Sequence, residues 1–373
     1  MYSDIKHFNG LNSLRFIAAF LVLIHHAEQI RLKYGMFNLK QISLFNNGGV
    51  AVSFFFVLSG FLITYLLILE KTSQDTIYVK KFYMRRILRI WPLYFLLIII
   101  GTLIIPFFIS LFDINYTMPY QFKNVILYYV FFSPFLVNLI FGNHFLEPLW
   151  SIGVEEIFYI FWAPMIKLFK VSILKICSII IVIKFLILLF AINFIDNPLL
   201  VKLIKILSFE SMSIGAIGAY YIFYLKDKIS HQKLFSINMQ IFLISLILFR
   251  FLGYHLILRN IFLNDVHLFF IDLFFNYLFL WLIINISLNS NSIIRLNQKW
   301  LIQLGNFSYG IYMYHMLIVF TVVLLFKNIF NEMNNYLSSI LFYALVIGFT
   351  MLVSFFSKRY FEDYFLNFKN KFK

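Results

Sequence analysis

An arginine and a histidine, Arg15 and His26, lie within one long apolar stretch near the start of the chain, Leu14–Ala27 (LRFIAAFLVLIHHA). An α-helix turns through about 1100° and rises about 16 Å over eleven residues, so the two side chains point the same way at different depths. His25 points about 100° away from them. An ionisable group in hydrocarbon costs several kcal/mol and lies mainly against protein or water, so this spacing predicts a functional site.

A second histidine, His315, lies about ten residues into another apolar stretch, LGNFSYGIYMYHMLIV. A lone histidine on an aromatic helix is more often a hydrogen-bonded packing residue than a catalytic one. Two histidines near mid-depth, His26 and His315, also favour a shared polar cavity. The residues alone leave both interpretations open.

Two adjacent carboxylates, Glu155 and Glu156, begin a third apolar stretch, EPLWSIGVEEIFYIFWAP. On a helix they diverge by about 100°, so only one can face a helix bundle as an acid, a base or an ion-pair partner. The spacing leaves open which of the two it is, and the other is expected at the membrane interface.

In FYMRRILRIWPLY, Arg86 and Arg89 lie three residues apart, and Arg85 and Arg89 lie four apart. Both spacings place the side chains on one side of a helical turn. A planar guanidinium group can donate two parallel hydrogen bonds to the oxygens of one phosphate, so Arg86 and Arg89 are candidates for binding an anionic substrate. Arginines beside a membrane also set topology and bind lipid headgroups, which is the simpler interpretation. Ser59, in GVAVSFFFVLSGFLITYLL, is a candidate substrate contact, although small residues in membrane helices mainly permit close packing.

These residues must be positioned by membrane helices, because 62% of the 373 residues are hydrophobic and only 13% are charged. The fold class is therefore all-α and polytopic. Ten segments are long and apolar enough to cross a bilayer, which takes about 20 residues: 13–30, 50–69, 91–112, 152–169, 176–195, 199–225, 237–256, 267–287, 307–326 and 337–356.

An eleventh apolar segment, 124–141, is interrupted by Pro134. Ten crossings with both termini in the cytoplasm place most of the basic residues inside, whereas an eleventh crossing would move the basic C-terminal tail outside, against the positive-inside tendency. We therefore predict a re-entrant or surface-lying element at 124–141, within a single membrane domain over residues 1–373.

The composition also excludes some functions. The single cysteine, Cys177, can form neither an internal disulfide nor a thiolate metal site, and we predict no metal. The net charge of +15 comes from basic residues between the apolar segments, which indicates topology signals and contacts with membrane lipids rather than with nucleic acid.

Taken together, these segments resemble the acyltransferase family 3 membrane proteins, which O-acylate bacterial cell-envelope glycans. The likeness runs in order through Leu11–Ala27, Gly48–Leu67, Arg85–Tyr94, Pro148–Pro164, Leu304–Val319 and the closing SKRYFEDYFLNF. The family's first-span arginine and histidine fall on Arg15 and His26. The family pattern departs at WSIGVEEIFY and at the double histidine, where one histidine is usual.

The resemblance implies an O-acyltransferase, most often an O-acetyltransferase, of the bacterial inner membrane. It implies acetyl-coenzyme A or another acyl-coenzyme A as co-substrate, with Arg15, Arg86, Arg89 and Ser59 as donor-binding residues. His26 would act as a general base or carry the acyl group, assisted by Glu155 and His315. The acceptor would be an envelope glycan or a lipid-linked sugar.

Many relatives carry an extracellular esterase-like domain, which we do not expect here because the sequence stops soon after its last apolar segment. The chain would act alone or pass its acyl group to a separate extracytoplasmic transferase or polysaccharide assembly enzyme. Two alternatives stay open: a transporter or flippase of an envelope glycan or lipid, and an unrelated membrane-bound O-acyltransferase fold. We find no related halves of the kind that many transporters show.

Overall fold

A computed structural model of the chain describes residue 8 and residues 10–114, 116–142, 144–168, 172–195, 197–229, 233–254 and 264–372. These residues form helices and loops without a strand, which confirms the all-α prediction. We number the α-helices of the described ranges in chain order. They are α1 Leu11–Lys33, α2 Gly48–Gln74, α3 Val79–Ile99, α4 Ile105–Leu111, α5 Phe122–Val130, α6 Pro134–Phe141, α7 Leu149–Leu168, α8 Ile173–Phe194, α9 Pro198–Ile206, α10 Phe209–Ile229, α11 Ile237–Leu252, α12 Asp265–Leu288, α13 Lys299–Asn306, α14 Ser308–Glu332, α15 Asn335–Phe356 and α16 Asp363–Phe368.

Seven helical stretches of the described residues are long and apolar enough to cross a membrane. They are Gly48–Gln74, Val79–Leu111, Leu149–Leu168, Ile173–Phe194, Asp265–Leu288, Ser308–Glu332 and Asn335–Phe368. The protein is thus a polytopic membrane protein. The exact number of ten crossings stays a prediction, because α1, α10 and the shorter α11 fall outside this set. Residues 169, 255 and 256 of the predicted segments lie outside the described residues.

Two of the long stretches contain a wider, π-helical turn. Ile100–Ile104 joins α3 to α4, and Ser357–Glu362 joins α15 to α16. Each extra residue shifts the helix face that follows it, and such turns are frequent at functional sites. The second turn buries Glu362 and Ser357, whose hydroxyl group donates to Glu362 Oε1 at 3.3 Å.

Two predicted segments differ from the structure in detail. The segment 199–225 is not one helix, because the chain breaks at Leu207 and Ser208 between α9 and α10. The segment 124–141 forms the short helices α5 and α6, of nine and eight residues, with Phe132 at φ +53° between them. Neither helix is long enough to cross a bilayer by itself. The re-entrant or surface-lying placement of the segment 124–141 stays a prediction.

The chain divides into two compact units. The first unit consists of Met1–Ala18, Gly49–Ile77 and Phe158–Asn306. The second consists of Ala19–Gly48, Tyr78–Ile157 and Phe307–Lys373. That the whole chain acts as one membrane domain stays a prediction.

In the first unit, α2 packs closely against α10 because glycine lies on both helices. A Cβ atom on Gly60 would lie 2.0 Å from the Met212 carbonyl oxygen, and one on Gly215 would lie 2.0 Å from that of Val57. Small residues permit such close backbone approach in membrane helices. The packing interpretation of the motif around Ser59 therefore has direct support.

In the second unit, α14 forms the core. Most of its residues from Ser308 to Val323 are buried, and it packs along α15, where Gly310 faces Ser354. The Tyr309 hydroxyl group of α14 donates to the Ile90 carbonyl of α3 at 3.0 Å. These contacts place His315 in the interior of this unit.

Candidate active site

His26 of α1 and His315 of α14 form a buried pair in the second unit. His26 is 7% exposed and His315 is fully buried. The Nδ1 atom of His26 lies 2.9 Å from the Nε2 atom of His315, and the two rings stack at 5.1 Å. The sequence left a shared site and separate packing roles open, and the structure brings the two side chains together.

The hydrogen bonds of this histidine pair fix which nitrogen atoms carry protons. His315 Nδ1 lies 2.7 Å from the Tyr312 carbonyl oxygen, which can only accept, so this nitrogen carries the proton. In neutral His315, Nε2 is then an acceptor, and His26 Nδ1 must donate to it. The Nε2 atom of neutral His26 therefore holds an available lone pair. A base or a nucleophile requires such an atom.

A carboxylate that the sequence analysis did not select, Glu147, faces this lone pair. Its Oε1 atom lies 4.0 Å from His26 Nε2, and its side chain is 15% exposed. The separation is too long for a direct hydrogen bond. A hydroxyl group with its oxygen about 2.8 Å from His26 Nε2 would fit between them and could donate its single proton to that nitrogen, since the carboxylate also only accepts.

The segment that carries Glu147 is fixed to its surroundings by hydrogen bonds. The Asn138 side chain donates to the Glu147 carbonyl at 2.9 Å. The Tyr312 hydroxyl group donates to the Pro148 carbonyl at 3.1 Å and lies 2.7 Å from Ser151 Oγ. Tyr312 thus contacts both His315 and the segment that presents Glu147.

His25 has different surroundings from His26. Its Nδ1 atom lies 3.0 Å from the Phe45 carbonyl oxygen, in the loop between α1 and α2. A Cβ atom on Gly48 would collide with the His25 ring, so a glycine is required there. His25 therefore contacts the loop between α1 and α2 through its Nδ1 atom, whereas His26 Nδ1 contacts His315.

The two candidate carboxylates of α7 differ in burial. Glu156 is 6% exposed and accepts a hydrogen bond from the Trp91 indole at 3.0 Å, whereas Glu155 is half-buried. Glu156 is thus the more buried of the two. The catalytic role of Glu155 stays a prediction.

The arginine motif lies on α3, in the same unit as the histidine pair. Arg85, Arg86 and Arg89 are all half-buried. Arg85 donates to the carbonyl oxygen of Phe372 at 2.9 Å, and the Arg86 guanidinium lies 5.8 Å from the Phe82 ring. Tyr309 of α14 bonds to Ile90, which follows Arg89 on α3. His315 lies six residues after Tyr309, which is about 9 Å further along α14. The arginines and the histidine pair thus lie at two depths of one unit.

Arg15 and Ser59, the other predicted donor-binding residues, belong to the first unit. Arg15 Nη1 donates to Asn12 Oδ1 at 3.4 Å. Ser59 Oγ lies 2.5 Å from the Tyr159 hydroxyl oxygen, and one of them donates to the other. Their role in binding a donor stays a prediction.

The charged residues that lie within or near apolar segments of the first unit pair with neighbours. Lys184 Nζ lies 2.5 Å from Glu210 Oε2, and the Arg250 guanidinium stacks 4.0 Å from the Tyr254 ring centre. The sequence left open whether these charged side chains line a cavity, pair with one another or extend to the membrane surface. The structure shows that Lys184 pairs with Glu210. In the described ranges, no group of three or more His, Cys, Asp or Glu side chains has a metal-binding arrangement.

The chain matches the family model described as "Acyltransferase domain" over residues 8–359. A candidate O-acetyltransferase of Staphylococcus aureus (strain COL) is 28% identical over 191 residues, which are 47% of this chain and 27% of that protein. The peptidoglycan O-acetyltransferase OatA of Listeria monocytogenes is 26% identical over 176 residues, 44% of this chain and 25% of that protein. A candidate peptidoglycan O-acetyltransferase of Bacillus subtilis, YrhL, is 30% identical over 185 residues, 47% of this chain and 26% of that protein.

The chain thus spans about a quarter of the length of these relatives. No solved structure matches it.

Proposed function

This chain belongs to the acyltransferase family 3 of membrane proteins, and we propose that it transfers an acetyl group from acetyl-coenzyme A in the cytoplasm to a hydroxyl group of a cell-envelope saccharide. The observation that carries the proposal is the histidine pair, which leaves His26 Nε2 unprotonated inside a membrane protein and opposite a carboxylate. Relatives named as peptidoglycan O-acetyltransferases support a saccharide acceptor. The protein would work in the bacterial inner membrane.

In the direct route, the acceptor hydroxyl group lies between His26 Nε2 and Glu147. His26 Nε2 takes the hydroxyl proton as the oxygen attacks the thioester carbonyl carbon, and the carbon–sulfur bond then breaks. The proton passes from His26 to the leaving sulfur, which gives the O-acetyl ester and coenzyme A. General-base catalysis of this kind contributes roughly 10²–10⁴-fold.

The other contacts of the histidine pair support this proton transfer. The Nδ1–H group of His26 donates to His315, and the Nδ1–H group of His315 donates to the Tyr312 carbonyl. This chain orients the imidazole ring and, with the Glu147 carboxylate, stabilises its positive charge when Nε2 holds the proton. Glu155 is a further proposed carboxylate of the reaction.

In the alternative route, His26 Nε2 attacks the thioester itself and carries the acetyl group before the acceptor takes it. Both routes use the same nitrogen atom. Mixing the protein with radiolabelled acetyl-coenzyme A without acceptor separates them, because only the covalent route leaves label on the protein.

The donor would enter from the side that carries the arginine motif. Coenzyme A bears several phosphate charges, and guanidinium groups bind phosphate oxygens strongly. Arg86 and Arg89 would hold these phosphates, with Arg15 and Ser59 as additional donor contacts, while the pantetheine arm extends toward His26.

The decisive experiment compares the His26→Ala and His25→Ala proteins at equal amounts in proteoliposomes. We expect His26→Ala to lower acetyl incorporation into an envelope saccharide at least 100-fold, and His25→Ala to retain most of it. His25 is the matched control because it is the neighbouring histidine, its ring packs 5.3 Å from that of His26, and its Nδ1 atom lies against the Phe45 carbonyl rather than against His315. Full activity in His26→Ala would refute the proposal.

A transporter or flippase is the other candidate from the sequence. A transporter should neither bind nor slowly hydrolyse acetyl-coenzyme A. Measuring release of free coenzyme A by the purified protein therefore separates the two functions before any acceptor is identified.

A further inference from the structure

An aromatic and cationic cluster lies beyond the histidine pair; it is formed by the same two helices, by the residue that follows α1 and by the loops between α4 and α7. Lys33 follows His26 by seven residues on α1, which is two turns, and therefore lies on the same face about 10 Å further along. Phe320 follows His315 by five residues on α14. We call the cluster the outer patch; it consists of Lys33, Tyr34, Tyr116, Phe145, Phe320 and Lys327.

The cluster alternates charges and rings. The Lys33 ammonium lies 5.9 Å from the Phe320 ring centre, and the Lys327 ammonium lies 5.7 Å from that of Tyr34. The Tyr34 and Phe320 ring centres are 6.3 Å apart. Tyr116 lies 6.0 Å from Phe320 and thus extends the row of rings.

The outer patch is accessible and carries positive charge. Lys33 is exposed, and Tyr34, Tyr116 and Lys327 are half-buried, so part of the two tyrosine rings and of each ammonium can meet a ligand, whereas Phe145 and Phe320 are buried. Neither lysine forms a salt bridge with a carboxylate in the part of the chain that the structure describes. The charge of the patch is therefore available to an anionic partner.

A buried donor beside the patch also lacks a partner. His144 Nδ1 accepts from the Leu146 backbone N–H at 3.1 Å, so neutral His144 carries its proton on Nε2. This Nε2 atom is buried and has no hydrogen-bond acceptor among the described residues. Burial and the nearby Lys33 charge lower the pKa of His144 to about 3, so the ring is neutral at physiological pH.

The outer patch is connected to the reaction centre by a short stretch of chain. His144 and Phe145 lie three and two residues before Glu147, and the Glu147 backbone N–H donates to the His144 carbonyl at 3.0 Å. A molecule bound on the patch would therefore extend from the rings toward the space between Glu147 and His26.

We propose that the outer patch is the binding site for an acidic saccharide, which it holds while one of the saccharide's hydroxyl groups reaches His26. Pyranose rings present flat C–H faces that pack on Tyr34 and Tyr116. A carboxylate or phosphate on the saccharide pairs with Lys33 and Lys327. The proposal rests on the proposed function, because it names the acceptor class of the same site.

Binding without donor tests the patch separately from acetyl transfer. The wild-type protein in phosphatidylcholine nanodiscs is titrated calorimetrically with a tetramer of galacturonic acid, which is acidic, and with a tetramer of N-acetylglucosamine, which is neutral. We expect the acidic tetramer to bind more tightly. Equal binding, or no binding of the acidic tetramer, would overturn the proposal whatever the protein does with acetyl-coenzyme A.

Substitutions then locate the binding site. We expect Lys33→Gln or Lys327→Gln to raise the Kd of the acidic tetramer about threefold, and the double variant about tenfold. The neutral tetramer should change little with either substitution. Tyr116→Ala should weaken both tetramers, and Tyr116→Phe should restore them. Lys123→Gln, an exposed lysine of α5, removes the same charge elsewhere and should change nothing.

A phospholipid headgroup is also anionic and could bind the same lysines. A second experiment therefore distinguishes a bound lipid from a bound saccharide. Bound phosphatidylglycerol is counted by native mass spectrometry for the wild type and the Lys33→Gln/Lys327→Gln double variant. If the double variant loses this lipid and binds the acidic tetramer as the wild type does, the patch is a lipid site and the saccharide proposal is wrong.

Discussion

The availability of His26 Nε2 depends on contacts made by residues far away in the sequence. His315 lies 289 positions from His26, and the Tyr312 carbonyl sets its proton on the opposite nitrogen. Without that carbonyl, either nitrogen of His315 could carry the proton, and so could either nitrogen of His26. The chemistry of one ring is thus determined by a backbone group of another helix.

Glu147 provides a test of the proposed acceptor position at this scale. We expect Glu147→Gln to lower kcat about 10- to 100-fold while the KM for acetyl-coenzyme A stays within about twofold, because the carboxylate stabilises the positive charge that His26 gains when it takes the proton. Steady-state kinetics with both substrates varied measures this division. Glu332→Gln, an exposed glutamate at the end of α14, is the matched control.

A rise of about 10- to 100-fold in the KM for the donor, with kcat unchanged, would contradict this assignment, since that pattern indicates a role in donor binding. The same assay on Glu155→Gln tests the carboxylate that the sequence favoured.

The sequence singled out His26 and His315, which the structure brings together, and it did not single out Glu147 for a physical reason. A histidine within hydrocarbon is costly, so its presence stands out in a single sequence. A glutamate just before Pro148 has the composition of an ordinary loop and carries no such cost. Only the turn that the structure forms over His144–Glu147 directs it toward His26.

A fully buried ion pair, Glu28 and Arg31, lies near the end of α1. Arg31 donates to Glu28 at 2.7 Å and to Ser339 Oγ at 2.8 Å, while Glu28 also accepts from the Tyr343 hydroxyl group at 2.5 Å. The Leu39 backbone N–H also donates to Glu28. The pair thus links α1 to α15 and to the loop between α1 and α2.

Removing one partner of this pair should be more costly than removing both. We expect Arg31→Met to destabilise the protein by about 3–5 kcal/mol, because it leaves a buried carboxylate uncompensated. The Glu28→Gln/Arg31→Met double variant should recover part of the loss. Apparent melting temperatures in detergent measure both, with the exposed Arg295→Met as control. A double variant less stable than Arg31→Met would contradict the explanation.

At the scale of the helices, packing depends on where glycine allows backbones to meet. Gly60→Ala places a Cβ atom against the Met212 carbonyl, so α2 and α10 must separate, at a cost of about 1–3 kcal/mol. Gly49→Ala, on the same helix, has open space and should be neutral within about 0.5 kcal/mol. Melting temperatures of the two variants provide the measurement, and an equal loss for both would show that close packing is not the cause.

The sequence predicted where the apolar helices lie better than how they end. The apolar composition identifies α8 and α12 because each is a mainly apolar stretch of more than 20 residues without a proline or a glycine. It cannot show the break at Leu207 and Ser208, since the residues on both sides are apolar. The π-helical turn over Ser357–Glu362 is invisible for a similar reason, because one extra residue per turn leaves the composition unchanged.

At the scale of the whole molecule, the two short helices α5 and α6 determine the orientation of everything that follows. If the stretch 122–141 does not cross the bilayer, Lys80 and Lys175 lie on the same, cytoplasmic side, and Lys123 lies outside. If it crosses, Lys175 moves to the outer side. Both orientations contain the same helices, so only a measurement of sidedness can separate them.

Cysteine labelling gives that measurement, because the chain has a single native cysteine, Cys177, which is buried. In a Cys177→Ser background, single cysteines replace Lys80, Lys123 or Lys175, all of which are exposed. We expect a membrane-impermeant maleimide to label intact cells only through the cysteine at 123, and all three after permeabilisation. Labelling of the cysteine at 175 in intact cells would show an odd number of crossings between 80 and 175. It would also place the basic residues of the C-terminal tail outside, against the positive-inside tendency on which the orientation rests.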